Sequence, residues 1–382
     1  MKAHQLKNAI LQLAVQGKLV PQNPNDEPAS KLLERIADEK RRRIKAGEIK
    51  KDKRDSTIVR RGASFYEIAN TTERCIDDEL PFDLPNGWEW CRVGDLFSNM
   101  SGLAYKKDAL AIKTDKMIRV LRGGNIGEEH FLFKGDDVFI SSELVKPELY
   151  LRKNYMITPA VSSLDHIGKI ALIDKDYSDT VVGGFVLMLI PHFNNDVVSQ
   201  YLLYAFAAKH HRDNCRNITH KSGQAFYNLS REQMMNLPVP IPPLAEQRRI
   251  VDRLESLLPL VEAYGKAEAE LSELDARFPD MLKKSILQDA VQLLIMRIIP
   301  SENDRFVLVT LDFTSLNQLF FLRTNAFQKG RSRFIVRILW NKFALNRFLQ
   351  DGFFQKVREL LIQFCRSNIR FGIAVCKRCY LI

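Results

Sequence analysis

Residues 237–264 read LPVPIPPLAEQRRIVDRLESLLPLVEAY, and this stretch decides the architecture. Pro238, Pro240, Pro242 and Pro243 keep its beginning out of a helix. Each lacks an N–H and pushes the residue before it toward extended backbone. Then the pattern changes: Ile250, Leu254, Leu257, Val261, Tyr264 and Leu271 follow a 4,3,4,3,7 spacing. That spacing predicts a helix over 245–275 with one apolar seam close to a heptad repeat, the helix-pairing seam of the chain. Pro259 lies inside it and is expected to kink or restart the helix. The seam needs an apolar partner; an ordinary amphipathic helix on a globular core satisfies the same pattern.

Further along, 282–292 read LKKSILQDAVQ, while 6–16 read LKNAILQLAVQ. Eight of eleven positions are identical at a separation of 276 residues, so a helical piece recurs on both sides of one large body. After Gln16 the chain continues GKLVPQNPNDEP; after Gln292 it continues LLIMRIIPSEND, and the match stops.

Composition adds bounds. A chain of 382 residues with 46% hydrophobic residues can bury a sizeable core. No run of 18 apolar residues offers a membrane span, and the N-terminus reads as an amphipathic helix rather than a signal peptide. Six irregularly spaced cysteines suit a reducing cytoplasm. The net charge of +11 is misleading: residues 293–382 hold 15 Lys and Arg against 5 Asp and Glu, which leaves +1 for residues 1–292. The basic run from Lys40 to Arg61 reads as a solvated helix face and linker before it reads as a phosphate footprint.

The fold class expected is α+β. Residues 1–50 hold two helices, the first stopped at Gly17 and the second capped by Ser30. Residues 51–79 read as a basic linker. From Pro81 the texture changes, and 80–243 alternate short β-rich runs with turns: Met117–Leu121, Asp137–Ser141, Lys169–Ile173 and Val181–Ile190, with helices at Val197–Lys209 and Ser230–Met235. Helices return over 244–292, including one at 280–292. Residues 293–382 carry 12 of the 23 phenylalanines and no sustained apolar period, which marks them as an atypical basic tail, read here as out of frame.

No catalytic set stands up. There is neither a phosphate-binding GxxxxGK[ST] nor a correctly placed GxGxxG. Asn23-Pro24-Asn25-Asp26 lacks the aromatic of an adenine methyltransferase motif, and Asp136, Asp137, Glu143 and Lys146 form only a loose acidic group. His210, His211, Cys215 and His220 fit no zinc spacing and stand among cations, and Cys376 and Cys379 are half a site at most. No metal site is expected.

The ordered set of motifs resembles a type I restriction-modification specificity subunit. Its carriers are LKNAILQLAVQGKLVPQNPNDEPASKLLERI at 6–36, ELPFDLPNGWEWCRVGDL at 79–96, LRGGNIG at 121–127, HIGKIALID at 166–174, SGQAFYNLS at 222–230 and LPVPIPPLAEQRRIVDRLESL at 237–257. The resemblance covers about residues 1–292. It implies one globular mixed α/β target recognition domain, flanked by long helices that pack as an antiparallel coiled-coil-like spacer. It also implies a chain with no chemistry or cofactor of its own, which reads half of a split site in double-stranded DNA in the cytoplasm. Methylation and restriction subunits would be its partners, using S-adenosylmethionine, ATP and Mg. The family carries two recognition domains and this chain one, so it looks half-length, and its seam suggests a homodimer of half-subunits reading a palindromic gapped site. Two alternatives are the recognition part of a single-chain methyltransferase or nuclease, and a non-functional truncated allele.

Base readout needs Arg, Lys, Asn or Gln on turns or helix starts. The DNA-binding candidates are Lys106 and Lys107; Arg119, Arg122 and Asn125 around a Gly-Gly turn; and Asn217, His220, Lys221, Ser222, Gly223 and Gln224. Trp88, Trp90, Phe226 and Tyr227 read as core packing rather than base stacking.

Overall fold

The computed structural model describes residues 2–49, 56–62, 64–69, 72–106, 117–222, 226–295, 309–313 and 318–322. They fall into two units, Met1–Ala269 and Glu270–Ile382.

The first unit begins with α1 (Ala3–Val15) and α2 (Ala29–Lys45). Gly17 ends α1 as expected, at φ +68°, with the Lys18 N–H donating to Leu13 O at 2.8 Å. A Cβ there would stand 2.5 Å from Pro85, so glycine is required twice over. Ser30 does not cap α2; the helix starts one residue earlier, behind Pro28, whose fixed φ suits a helix start. Leu11, Ala14, Val15, Leu32 and Ile36 are buried in the main core, so both helices share a core with the domain that follows.

Residues read as a linker instead form β1 (Ser56–Arg61), β2 (Ser64–Ala69) and β3 (Thr72–Cys75), an antiparallel sheet in that order. The apolar residues were hidden by charge: Ile58, Phe65 and Ile76 are buried in the core, Arg61 and Arg74 are exposed, and the half-buried Arg60 covers the Phe65 ring. Then come β4 (Glu89–Arg92), α3 (Val93–Leu96), β5 (Phe97–Ser101), β6 (Met117–Leu121), β7 (Val138–Ser141), β8 (Met156–Pro159), β9 (Val161–Ser162), β10 (Ala171–Leu172), β11 (Thr180–Val182) and β12 (Val186–Pro191). After them run α4 (Asp196–Ala207), α5 (Lys209–Asn217), β13 (Thr219–Ser222), β14 (Phe226–Leu229), α6 (Arg231–Met235), β15 (Pro238–Ile241) and α7 (Leu244–Ile295). The strands form sheets β10-β8-β12-β5, β11-β6-β7, β13-β14-β9 and β15-β4. All pairs are antiparallel except β11 with β6. The α+β expectation holds.

The proline-rich opening of the decisive stretch is β15, paired with β4 in the register Pro238↔Arg92 and Ile241↔Glu89. Prolines at alternate positions are tolerated in such an edge strand, because only every second N–H must face the neighbour. The chain then turns into α7 under tight control. Trp88 Nε1 donates to Glu246 Oε2 at 3.0 Å, Tyr201 Oη donates to Pro240 O at 2.7 Å, and Gln247 Nε2 donates to Pro242 O at 2.9 Å. Trp88, Trp90, Tyr201 and Gln247 are all buried, in line with the core role read for the tryptophans.

Pro259 does not interrupt α7, and the two expected helices are one. Pro259 and Glu255, whose carbonyl it leaves free, both face solvent, where water replaces the lost bond. The seam is also divided. Ile250, Leu254 and Val261 are buried, with Val251 and Leu258, on the chain's own core, whereas Tyr264 is 45% and Leu271 59% exposed. The exposed residues define another line that starts at the half-buried Leu257: Leu257, Leu260, Tyr264, Ala267, Leu271, Leu274, Phe278 and Met281, spaced strictly 3,4,3,4,3,4,3. At 100° per residue it lies roughly a third of a turn from the buried stripe.

In the second unit, beyond α7, β16 (Val309–Phe313) and β17 (Gln318–Leu322) pair as an antiparallel hairpin. The rest of the tail lies outside the described residues.

One buried ion network ties the small sheet to the body. Glu67 Oε1 accepts from Arg92 Nε at 3.0 Å and from Ser56 Oγ at 2.7 Å, and Arg74 pairs with both Glu67 and Glu79. Arg92 Nη1 also reaches Asn236 O at 2.8 Å. Burial alone would raise the Glu67 carboxyl; the bonds from Arg92, Ser56 and Arg74 outweigh it and hold the group at about 2. Its folded pKa is below the ordinary 4.5, so its stabilisation is complete above pH 4.5 and lost as pH falls toward about 2. Arg92→Met strands a buried carboxylate and is expected to cost about 3–5 kcal/mol in urea unfolding. Glu67→Gln should flatten the acid limb of stability against pH; a limb unchanged by Glu67→Gln refutes the assignment.

Candidate nucleic-acid interface

The candidate contacts meet around one turn, Gly183-Gly184-Phe185, between β11 and β12. Gly102 makes this junction: a Cβ there would lie 2.3 Å from Val182 O and 2.4 Å from Gly183 O. Its neighbour Leu103 donates to Val182 O at 2.7 Å, which brings the segment ending in Lys106 against the turn. Gly183 N donates to Leu121 O at 2.8 Å, which places Arg122 beside it. On the other side Phe185 O accepts from Ala160 N at 2.8 Å and Val161 N at 3.2 Å. Val161 is paired with Asn228, and Asn228 with His220, so β9 and β14 carry the hairpin that holds Lys221.

The side chains of the candidates differ in availability. Lys106, Arg122, Asn217, His220 and Lys221 are exposed. Arg122 Nη2 donates to Asp136 Oδ2 at 3.0 Å and to Asp136 O at 2.8 Å, so it is oriented rather than loose. Arg119 and Asn125 are tied into the fold. Asp137 accepts from Arg119 Nη1 at 2.5 Å, Asn125 Nδ2 at 2.6 Å and Lys134 N at 2.8 Å. The Arg119 guanidinium also lies 4.2 Å from the Phe133 ring centroid and 5.1 Å from that of Phe139. Burial would raise the Asp137 carboxyl, but the Asn125, Lys134 and Arg119 bonds hold it below its ordinary range. Asn125 accepts in turn from Arg122 N at 2.8 Å, so these two candidates position the Gly123-Gly124 turn. Lys107, Gly223 and Gln224 lie outside the described residues, as does the Ser222 side chain.

Two aromatic residues stand exposed, and Phe226 among them departs from the reading as core. Phe226 is 57% exposed at the start of β14, and Phe185, which sequence reasoning passed over, is 70% exposed. Nothing in the strand pattern flags Phe185, since the run Val181–Ile190 reads as one strand until the Gly-Gly turn splits it. Of the histidine group, His211 packs inside: it stacks on Phe206 at 4.6 Å, and burial pushes it down to about 3. Cys215 is buried beside it. The basic run of α2 is largely spent on neighbours, with Arg42 on Glu39 and Arg43 on Glu48 and Pro191 O.

The domain is thus built of loops set on small sheets, with the exposed Lys106, Arg122 and Lys221 carried on segments that converge near the Gly183-Gly184 turn. The family model described as the type I restriction modification DNA specificity domain matches residues 85–271. Over 258 residues it is 34% identical to the type I restriction enzyme EcoAI specificity subunit of Escherichia coli, covering 66% of this chain and 39% of that one. Over 284 residues it is 27% identical to the EcoEI specificity subunit of Escherichia coli, covering 74% of this chain and 45% of that one. The chain spans less than half the length of these relatives. Among solved structures, the HsdS subunit from Thermoanaerobacter tengcongensis matches 71% of this chain and 53% of its own at 18% identity, with a TM-score of 0.36.

Asp137→Ala removes the acceptor on which three donors converge. It is expected to cost about 3 kcal/mol in urea unfolding, because Arg119 and Asn125 lose their shared partner. A cost under about 0.5 kcal/mol, typical of a surface substitution, contradicts the role given to Asp137.

Proposed function

We propose that the chain is a non-catalytic, sequence-specific DNA-binding subunit of a type I restriction-modification assembly. In this reading it reads half of a split target and directs methylation and restriction subunits, which bring the S-adenosylmethionine, ATP and Mg chemistry. The observation that carries it is the specificity-domain match over 85–271. The grouping of exposed Lys106, Arg122, His220 and Lys221 about one turn supports it, since phosphate contacts orient a protein on the duplex and base contacts specify. No helix among the described residues is long and apolar enough to cross a membrane, and the expected place of action is the cytoplasm with the DNA.

The finer reading is that two copies pair through α7 to bring two half-site readers together. Its support is the open 3,4 heptad line from Leu257 to Met281, on a different face from the stripe that Ile250 and Leu254 bury. A two-fold pair would read a palindromic site with a gap.

The test is co-purification with the methylation subunits followed by sequencing of methylated DNA; a gapped N6-methyladenine motif is the expected result, and a stable complex that marks no motif defeats the proposal. Binding should weaken steeply with salt, and Lys221→Ala should lower the slope of log K against log salt by about one. For the pairing, Leu271→Glu with Phe278→Glu should turn a dimer into a monomer in light scattering while the melting of the recognition domain stays the same. A wild-type chain that is monomeric at micromolar concentration defeats the pairing and leaves the DNA reading standing.

A further inference from the structure

Phe185 is the most exposed large apolar side chain among the described residues, at 70%. Its backbone is anything but loose. Its carbonyl takes two hydrogen bonds, from Ala160 and Val161, and the Val186 N–H closes the turn on Gly183 O at 2.9 Å. Val186, one residue on, is buried in a core cluster with Val120, Leu121, Val181 and Val182. The turn is also packed from behind: a Cβ on Gly183 would lie 3.4 Å from Val120, and one on Gly184 would lie 3.4 Å from Ala104. The fold therefore holds an aromatic ring in water on a stiff mount, where a polar residue would cost nothing. Isolated exposed apolar residues are common, but this one stands where the segments ending in Lys106 and Arg122 and the strand pairing toward His220 and Lys221 all meet. Asp136 is the acidic neighbour, and it is already engaged by Arg122.

We infer that Phe185 is a specificity-determining residue whose ring packs against a base edge in the major groove, with the thymine methyl group as the apolar feature it reads. Apolar side chains make that contact, and it complements cations that hold phosphates without reading sequence. The flanking cations set the ring's approach to the duplex, and the rigid turn keeps its placement from relaxing among alternative bases. This rests on the DNA-reading function proposed above.

The experiment uses the full chain in complex with its methylation subunits, on duplexes that carry the motif methylated by the wild-type complex. Phe185→Ala and Phe185→Leu are compared with the wild type for assembly, salt slope and discrimination at each base pair. The expected result is a roughly 5- to 50-fold loss of discrimination at one thymine position in Phe185→Ala, as for one lost base contact. Phe185→Leu should retain part of it, and the salt slope should not change. Replacing that thymine by uracil should weaken wild-type binding and add nothing in Phe185→Ala. The inference falls if Phe185→Ala keeps the motif and its discrimination, if uracil is neutral at every thymine, or if the variant instead fails to assemble with the methylation subunits, which would make the ring a protein contact. A wild-type complex with no motif overturns the underlying reading as well, so the two failures are separable. Since the ring is exposed, the variants should melt with the wild type.

Discussion

The structure of the first unit depends on how α7 is seated. Its first turns bury Gln247, Ile250, Val251 and Leu254 completely or nearly so, and the buried Trp88 indole donates to Glu246 within that first turn. A carboxylate near a helix N-terminus is favoured by the macrodipole and by the free N–H groups there. Burial nevertheless raises the Glu246 carboxyl, with the Trp88 bond and Arg249 acting against it. Arg249 in turn pairs with Asp26 at 2.6 Å, in the connector between α1 and α2. One helical turn thus holds the connector between α1 and α2, the residue that leads into β4 and the end of the proline strand β15 together.

This seating explains which parts were legible in the sequence. Prolines at 238, 240, 242 and 243 exclude helix by covalent geometry alone, and the change to helical periodicity follows at once, so β15 and the start of α7 could be read directly. Met117–Leu121 was legible to the residue because its apolar run is bounded by charge and by the Gly-Gly turn. The helix at Lys209–Asn217 was not, since its residues are almost all polar and only His211 and Cys215 face inward. The three-stranded sheet over Ser56–Cys75 was missed for a related reason: its arginines dominate composition, while its stability comes from Glu67 and Arg92, a pair whose partners are 25 residues apart. Periodicity reports local faces. It does not report long-range charge pairs.

The candidate interface was legible in a different measure. Residue type picked out Arg119, Arg122 and Asn125 together, but type does not say which arginine is free. Asp137, buried and negative, takes Arg119 and Asn125 into the fold, and Arg122 one residue beyond β6 is turned out onto Asp136. A strand alternates faces, so neighbouring cations of equal propensity meet opposite fates according to where an acidic partner lies. Phe185 was invisible for the complementary reason. An aromatic residue in an apolar run reads as core, and only the turn at Gly183-Gly184 rotates it out.

The seam of α7 shows how one helix can present apolar residues on two faces. A 52-residue helix is far longer than a single globular unit can cover, and most of its length has to find other company or stay wet. Here the stripe used by the core ends near Val261, and the second heptad line begins before that stripe ends, with the half-buried Leu257 and the exposed Leu260. The two lines overlap for about one turn on different faces, so packing on the chain's own core leaves the second line uncovered from Leu260 onward. A kink at Pro259 would have broken that overlap. Because Pro259 faces solvent, its missing bond falls where water can replace it, and α7 runs past it as one helix.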